Sequence, residues 1–162
     1  MSEAQKNGSV ARVVTTLAEL GLYAEIREMA ESTRTSAEAA AAIGCSVAQI
    51  AKAMVFREVE SGRALIVVAS GGNRVCTNKL AELTGKTIAH ADAAFVREKT
   101  GFAIGGVSPI AHVSEADILL DEDLFQYEEI WAAAGSPFAV FRTTADALAS
   151  ASGARVADIK EG

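Results

Sequence analysis

Residues 53–70 hold two apolar runs rich in β-branched and aromatic side chains, "AMVFREV" and "ALIVVAS", separated by Glu60-Ser61-Gly62. A connection that short joins antiparallel strands, because parallel neighbours need a crossover of a dozen residues or more. A second pair, "EIWAAAG" and "PFAVFRT", turns at Gly135-Ser136. Helical spacing lies around these runs. Val10, Val13, Val14, Leu17 and Leu20 recur every three or four positions and stop at Gly21. Ser36 can cap an Ala-rich helix that Gly44 ends, and Ser46 another over "VAQIAKA". Thr77 can open "NKLAELTG", Asp92 "AAFVREKTG" and Thr144 "ADALASASG". Strands are expected at "LYAEIREM", "DILLDEDL" and "RVADI". Hairpins interleaved with short helices exclude a purely parallel sheet. The expected fold is a single α/β domain with a mixed central sheet flanked by short helices.

The size fits that reading. The chain has 162 residues, half hydrophobic and 22% charged, enough for one domain with a core. Residues 9–162 are assigned to the domain and 1–8 to a flexible N-terminal tail. The polar start "MSEAQKNGSV" carries no apolar signal core, and no apolar run approaches the ~20 residues of a membrane span. A cytoplasmic protein with no membrane contact is expected. Cys45 and Cys76 stand far apart without a C-x-x-C, as idle thiols in a reducing compartment would. With His90 and His112 scattered too, no metal site and no cofactor is expected.

The net charge of −6 argues against nonspecific coating of nucleic acid. Its distribution is uneven. Residues 52–99 hold eight basic and five acidic side chains, whereas 115–129 hold seven acids and no Lys or Arg. That asymmetry could give one face that tolerates phosphates, or only an unevenly solvated surface.

Most catalytic patterns are absent. There is no G-x-S-x-G elbow around Ser108 and no G-x-x-x-x-G-K-[ST]. What remains is "GFAIGGVSPIAH", residues 101–112, in which Gly105, Gly106 and Pro109 interrupt an apolar run. A buried strand would avoid all three. Free amides in such a loop can converge on an oxyanion, glycine lets a ligand approach, and Pro109 stiffens the backbone. A bulged turn between strands fits the same residues. Lys52, in "QIAKAMVF", sits among Ile50, Ala51, Ala53 and Met54. Turned inward it would need an anionic or carbonyl partner; turned outward it would snorkel at the strand's edge.

In order, "SAEAAAAIGCSVAQIAKAMVF", "ALIVVASGGNRVCTNKLAELTG", "TGFAIGGVSPIAH", "ILLDEDL", "WAAAGSPFAVFRTT" and "LASASGARVADI" resemble the YbaK / prolyl-tRNA synthetase-associated trans-editing domain family over roughly residues 9–160. The resemblance implies a curved sheet and hydrolysis of the ester joining a wrong amino acid to its tRNA. It implies that Lys52 is the signature polar residue of the pocket. The loop from Gly105 to Pro109 would bind the aminoacyl end through main-chain groups, with Gly105 and Gly106 facing the reacting carbonyl. Asn73 and Arg74 of "SGGNRV" match a pocket rim, and Ser108, Pro109 and His112 complete the expected substrate contacts. Ala111 stands where many members have glycine, and His112 where many have lysine, which bears on amino-acid specificity. The implied partners are the acceptor end of aminoacyl-tRNA and an aminoacyl-tRNA synthetase, the chain itself being a monomer or weak homodimer. The small apolar residues suggest a short side chain on the misacylated amino acid. A non-catalytic adaptor on tRNA or a synthetase, and a small-molecule hydrolase or nucleotide-binding protein using the same loop, are the competing readings.

Overall fold

The computed structural model describes residues 8–22 and 24–162. The expected tail lies almost wholly outside them; its last residue, Gly8, opens helix α1 (Gly8–Glu19). Then follow β1 (Ile26–Glu28), α2 (Ser36–Ile43), a 3₁₀ turn (Val47–Gln49), β2 (Ile50–Glu58), β3 (Ala64–Ser70), α3 (Thr77–Thr84), β4 (Ile88–His90) and α4 (Ala93–Thr100). After the Gly-rich loop come β5 (Ala116–Asp121), a second 3₁₀ turn (Glu122–Gln126), β6 (Ile130–Ser136), β7 (Ala139–Thr143), α5 (Ala145–Ser152) and β8 (Arg155–Ala157).

All eight strands form one mixed sheet in the order β1-β7-β6-β2-β3-β5-β8, with β4 also on β2. Both expected hairpins, β2–β3 and β6–β7, are antiparallel. β2–β6, β3–β5 and β5–β8 are parallel. The single α/β domain read from the sequence is the observed fold. No helix among the described residues is long and apolar enough to cross a membrane.

Local departures have local causes. The helix expected over "VAQIAKA" is only the Val47–Gln49 turn, closed by a reciprocal Ser46/Gln49 capping box. From Ile50 the chain is claimed by strand pairing on both sides, to β3 and to β6, so Lys52 lies inside β2. Thr35, not Ser36, caps α2, accepting from the Glu38 amide at 3.1 Å. α3 begins at Thr77, with Cys76 in the cap position. The strand expected at "LYAEIREM" shrinks to Ile26–Glu28, paired with β7.

The period-2 alternation of β2 divides the core. Ala51, Ala53 and Val55 face a large cluster built with α1, α4, α5 and the Gly-rich loop through Val13, Val96, Leu148 and Phe102. Met54 and Phe56 face the other side, where Leu80 of α3 and Ile159 cover β3 and β5. On that same side Ala39 and Ala40 of α2 cover Ile50, Trp131 and Val140. Lys52 shares the Met54–Phe56 parity and is exposed, with α3 covering one part of that face and α2 another.

One feature of the sheet positions the loop and the cleft beneath it. Along its second edge β2 changes neighbours. Ile50 and Ala51 pair with Trp131 and Ala132 of β6, whereas Phe56, Arg57 and Glu58 pair with β4. Between the two pairings, β2 has no strand on that edge. Gly105 and Val107 of the Gly-rich loop line clefts on both the β6 and the β4 side of this gap.

Candidate active site

The cleft at the gap is lined by Lys52 and Ala53 of β2, Ala132 and Ala133 of β6, Gly105 and Val107 of the loop, and Arg34 with its neighbours ahead of α2. It encloses about 50 Å³. That is room for a few water-sized groups. A second, apolar cleft adjoins it on the β4 side, where Met54, Val55, His90, Val96 and Ile104 surround the same Gly105 and Val107.

Two cations border the first cleft, and no carboxylate lines it. The Lys52 ammonium makes no hydrogen bond or ion pair among the described residues, and neither does the Arg34 guanidinium. Arg34 was not among the residues singled out from the sequence. Its stem lies against Gly105, whose φ is +90°. A Cβ there would collide with Arg34 Cγ and stand 2.9 Å from Nε. Glycine is therefore favoured at 105 by its conformation, and any side chain there would displace Arg34.

Gly106 does something different. Its amide donates to the Ala103 carbonyl at 3.0 Å, closing a turn. Of the two glycine amides expected to face a reacting carbonyl, that of Gly106 is thus engaged. The amides of Gly105 and Val107 donate to no atom among the described residues. A Cβ on Gly106 would lie 3.0 Å from the Ser136 backbone, so this glycine lets the loop sit directly on β6.

The rest of the loop is held from beneath. Ser108 and Pro109 are buried, and Ser108 Oγ has no partner. His112 Nε2 meets the Ser108 carbonyl at 2.7 Å, and its ring stands edge-on to Phe102. Burial lowers the His112 pKa, the Ser108 hydrogen bond opposing it and the charge of Arg12 adding to it. A carbonyl only accepts, so Nε2 carries the donated proton. None of Ser108, Pro109 and His112 lines the two clefts. Arg12 of α1 ties the loop's far end, donating from Nε to the Ala111 carbonyl at 2.8 Å and from Nη2 to the Thr100 carbonyl at 3.1 Å.

Ala111 itself has φ 65°, the one positive value outside glycine among the described residues. A left-handed alanine costs about 1–2 kcal/mol. Ala111→Gly is therefore expected to stabilise the protein by about 1 kcal/mol, after the larger backbone entropy of glycine in the unfolded chain is set against the relieved strain. Chemical denaturation measures it, and an unchanged or lower midpoint would count against the strain.

Asn73 and Arg74 lie on the opposite side of Lys52, in a groove that also includes Met54, Thr77 and His90. The Asn73 amide is used internally, donating to Asp121 at 2.8 Å and Asp123 at 2.9 Å, while Arg74 is exposed. Lys52 lines both this groove and the cleft under the loop. The structure thus brings together Lys52 and Gly105, while Arg74 lines the groove on the lysine's other side. No group of three His, Cys, Asp or Glu side chains that could hold a metal occurs among the described residues.

The chain is similar in sequence and fold to several known proteins. A solved structure described as "a putative trans-editing enzyme for prolyl tRNA synthetase" is 44% identical, with a TM-score of 0.90 over 96% of this chain and 99% of that one. A scaffold protein used for epitope backbone grafting is 42% identical, with a TM-score of 0.91 over 96% and 99%. The protein YwhH of Bacillus subtilis (strain 168) is 29% identical over 132 residues, 82% of this chain and 83% of its own length. The family model for the aminoacyl-tRNA editing domain matches residues 30–151, a span that includes Arg34, Lys52, the Gly-rich loop and the β2 gap they border. On that match the chain belongs to the aminoacyl-tRNA editing domain family.

Proposed function

We propose that this protein is a free-standing deacylase that hydrolyses the ester of a mischarged tRNA carrying a small amino acid. The observation that carries the reading is the meeting of Lys52 and the Gly105 loop across a narrow, alanine-walled break in the sheet.

The reaction asks little of side chains. An aminoacyl ester is already activated, so a positioned water and a stabilised oxyanion suffice. The water oxygen bonds to the acyl carbon and the carbonyl electron pair moves onto its oxygen. Collapse restores the carbonyl and breaks the bond to the ribose oxygen, which takes the proton that water gave up. Unengaged main-chain amides at Gly105 and Val107 are suited to the developing negative charge, and two unpaired cations raise the local potential in its favour. Lys52 holds the terminal phosphate or a polar group of the substrate. A vicinal ribose hydroxyl of the tRNA orients the water, which accords with the absence of a side-chain base in the cleft lining.

Size sets the specificity. Ala53, Ala132 and Ala133 leave space for a short side chain, and a larger one meets strand backbone. Exclusion by bulk can be sharp, whereas preference for one extra methylene gains only about 1–3 kcal/mol. The test is a panel of mischarged tRNAs incubated with the pure protein, with release of each amino acid followed. Release is expected from tRNA carrying alanine or a residue of similar size, and not from leucyl- or phenylalanyl-tRNA. Release from none, with tRNA still bound, would make the protein a non-catalytic adaptor. Hydrolysis of simple esters indifferent to competing uncharged tRNA would make it a small-molecule hydrolase. The net charge of −6 predicts weak tRNA binding that falls steeply with salt.

A further inference from the structure

Resting on that reading, we infer that the main-chain N–H of Ala53 is an oxyanion donor of this site. The hydrogen-bond parity of β2 leads there. In the β2–β3 hairpin, Glu58 N donates to Arg63 O at 2.9 Å and Gly71 N to Ile50 O at 2.8 Å. Main-chain groups alternate sides along a strand, so the even-numbered residues of β2 turn their N–H and C=O toward β3. The odd-numbered ones turn theirs toward the other edge. Ala51 meets β6 there and Arg57 meets β4. Of the two odd-numbered residues between the pairings, Ala53 and Val55, only Ala53 lines the cleft with Lys52 and Gly105, and it meets neither strand. Its N–H and C=O therefore open into the gap, and among the described residues no loop or turn group takes them either.

A free edge amide inside a sheet is unusual, since buried main-chain groups are almost always paired. Here it lines the same cleft as Lys52, Arg34 and Gly105. It also answers a deficit. Oxyanion sites commonly present two donors, and the Gly106 amide is committed to Ala103. Strand β2 offers the Ala53 amide from one wall and the loop offers the Gly105 or Val107 amide from the other. The arriving acyl oxygen completes, for one residue, the pairing that the break in the sheet leaves open. As water adds to the acyl carbon and the electron pair shifts to oxygen, the Ala53 N–H donates to that oxygen. When the ester bond to ribose breaks, the donor returns to a neutral carbonyl. No proton leaves Ala53.

The same parity supplies the test. Proline is tolerated in a strand where its missing N–H faces no partner. Ala53→Pro thus removes the proposed donor without removing a bond of the β2–β3 ladder. Replacing Ala53 by L-lactate, which turns its N–H into an ester oxygen, does the same with less steric change. Deacylation of a tRNA cleaved by the unaltered protein is measured for both variants, with thermal unfolding as the check on folding. The expected result is a fall of about tenfold or more in kcat with KM nearly unchanged, less than the roughly hundred- to thousandfold cost of one donor in an enclosed oxyanion hole because this cleft is open to water. If the proline variant does not fold, the lactate variant decides. Unchanged kcat in the folded variants overturns the assignment and leaves the editing reading intact. Absence of deacylation by the unaltered protein across the panel overturns both.

Discussion

Lys52→Ala is expected to lower kcat/KM for deacylation ten- to a hundredfold while leaving the unfolding midpoint nearly where it was. The two halves of that result have separate physical sources. Lys52 is exposed and bonded to nothing among the described residues, so the fold gains little from its ammonium, and surface changes of this kind usually stay within about 0.5 kcal/mol. Its position matters for a ligand instead. It projects from a strand fixed by β3 on one edge, and it lines both the cleft under the loop and the groove that holds Arg74. A hydrogen bond from a charged donor is worth about 1.5–3 kcal/mol, which gives the stated range. Lys52→Arg should recover only part of the rate, because a planar fork does not reproduce a compact ammonium. Deacylation kinetics beside circular dichroism check all of this. Full activity in Lys52→Ala would remove the lysine from the site.

Lys52 could be singled out from the chain; where it sits could not. The hairpin over residues 53–70, the pairing of "EIWAAAG" with "PFAVFRT" and the caps at Asp92 and Thr144 are visible because their causes are local, although the second hairpin turns at Pro137-Phe138 and keeps the expected turn residues Gly135 and Ser136 inside β6. Turn residues, period-2 apolar runs and capping side chains act within a few positions. The break along β2 is another matter. It arises because β6, some eighty residues downstream, and β4, some thirty, both pair with one edge of one strand and fail to meet. Nothing in "QIAKAMVF" announces that. Arg34 was missed for the same reason, since its relevance comes from packing on Gly105, seventy-one positions away, and an arginine between two threonines carries no local signal. Gly106 shows the reverse error. Free amides were expected of the Gly-rich loop around Gly105-Gly106, but the three-residue reach back to Ala103 engages that of Gly106.

The loop's rigidity leads to the second large effect, Phe102→Ala. Proline looked like the loop's main restraint in the sequence. The structure adds a heavier one. Phe102 is fully buried, its ring edge-on to His112 and 4.4 Å beneath the Arg12 guanidinium, and Gly135 packs on it so closely that a Cβ there would lie 3.1 Å from its Cε1. Truncating a buried phenylalanine to alanine costs about 3–5 kcal/mol. For a chain of this size that corresponds to a midpoint lower by roughly 6–20 °C. The loss is not only global. Phe102 sits directly before the Ala103–Gly106 turn and ties it to α1 through Arg12 and to β6 through Gly135. Without the ring, the turn keeps its single 3.0 Å hydrogen bond but loses its anchor. The Gly105 and Val107 amides should then exchange hydrogen faster than they do in the intact protein, and deacylation should fall well below the thermal transition. Calorimetry and hydrogen exchange separate the two effects. A midpoint within 3 °C of the unaltered protein, with unchanged exchange at Gly105 and Val107, would mean that Val107, Pro109 and Ile110, all buried, suffice to hold the loop.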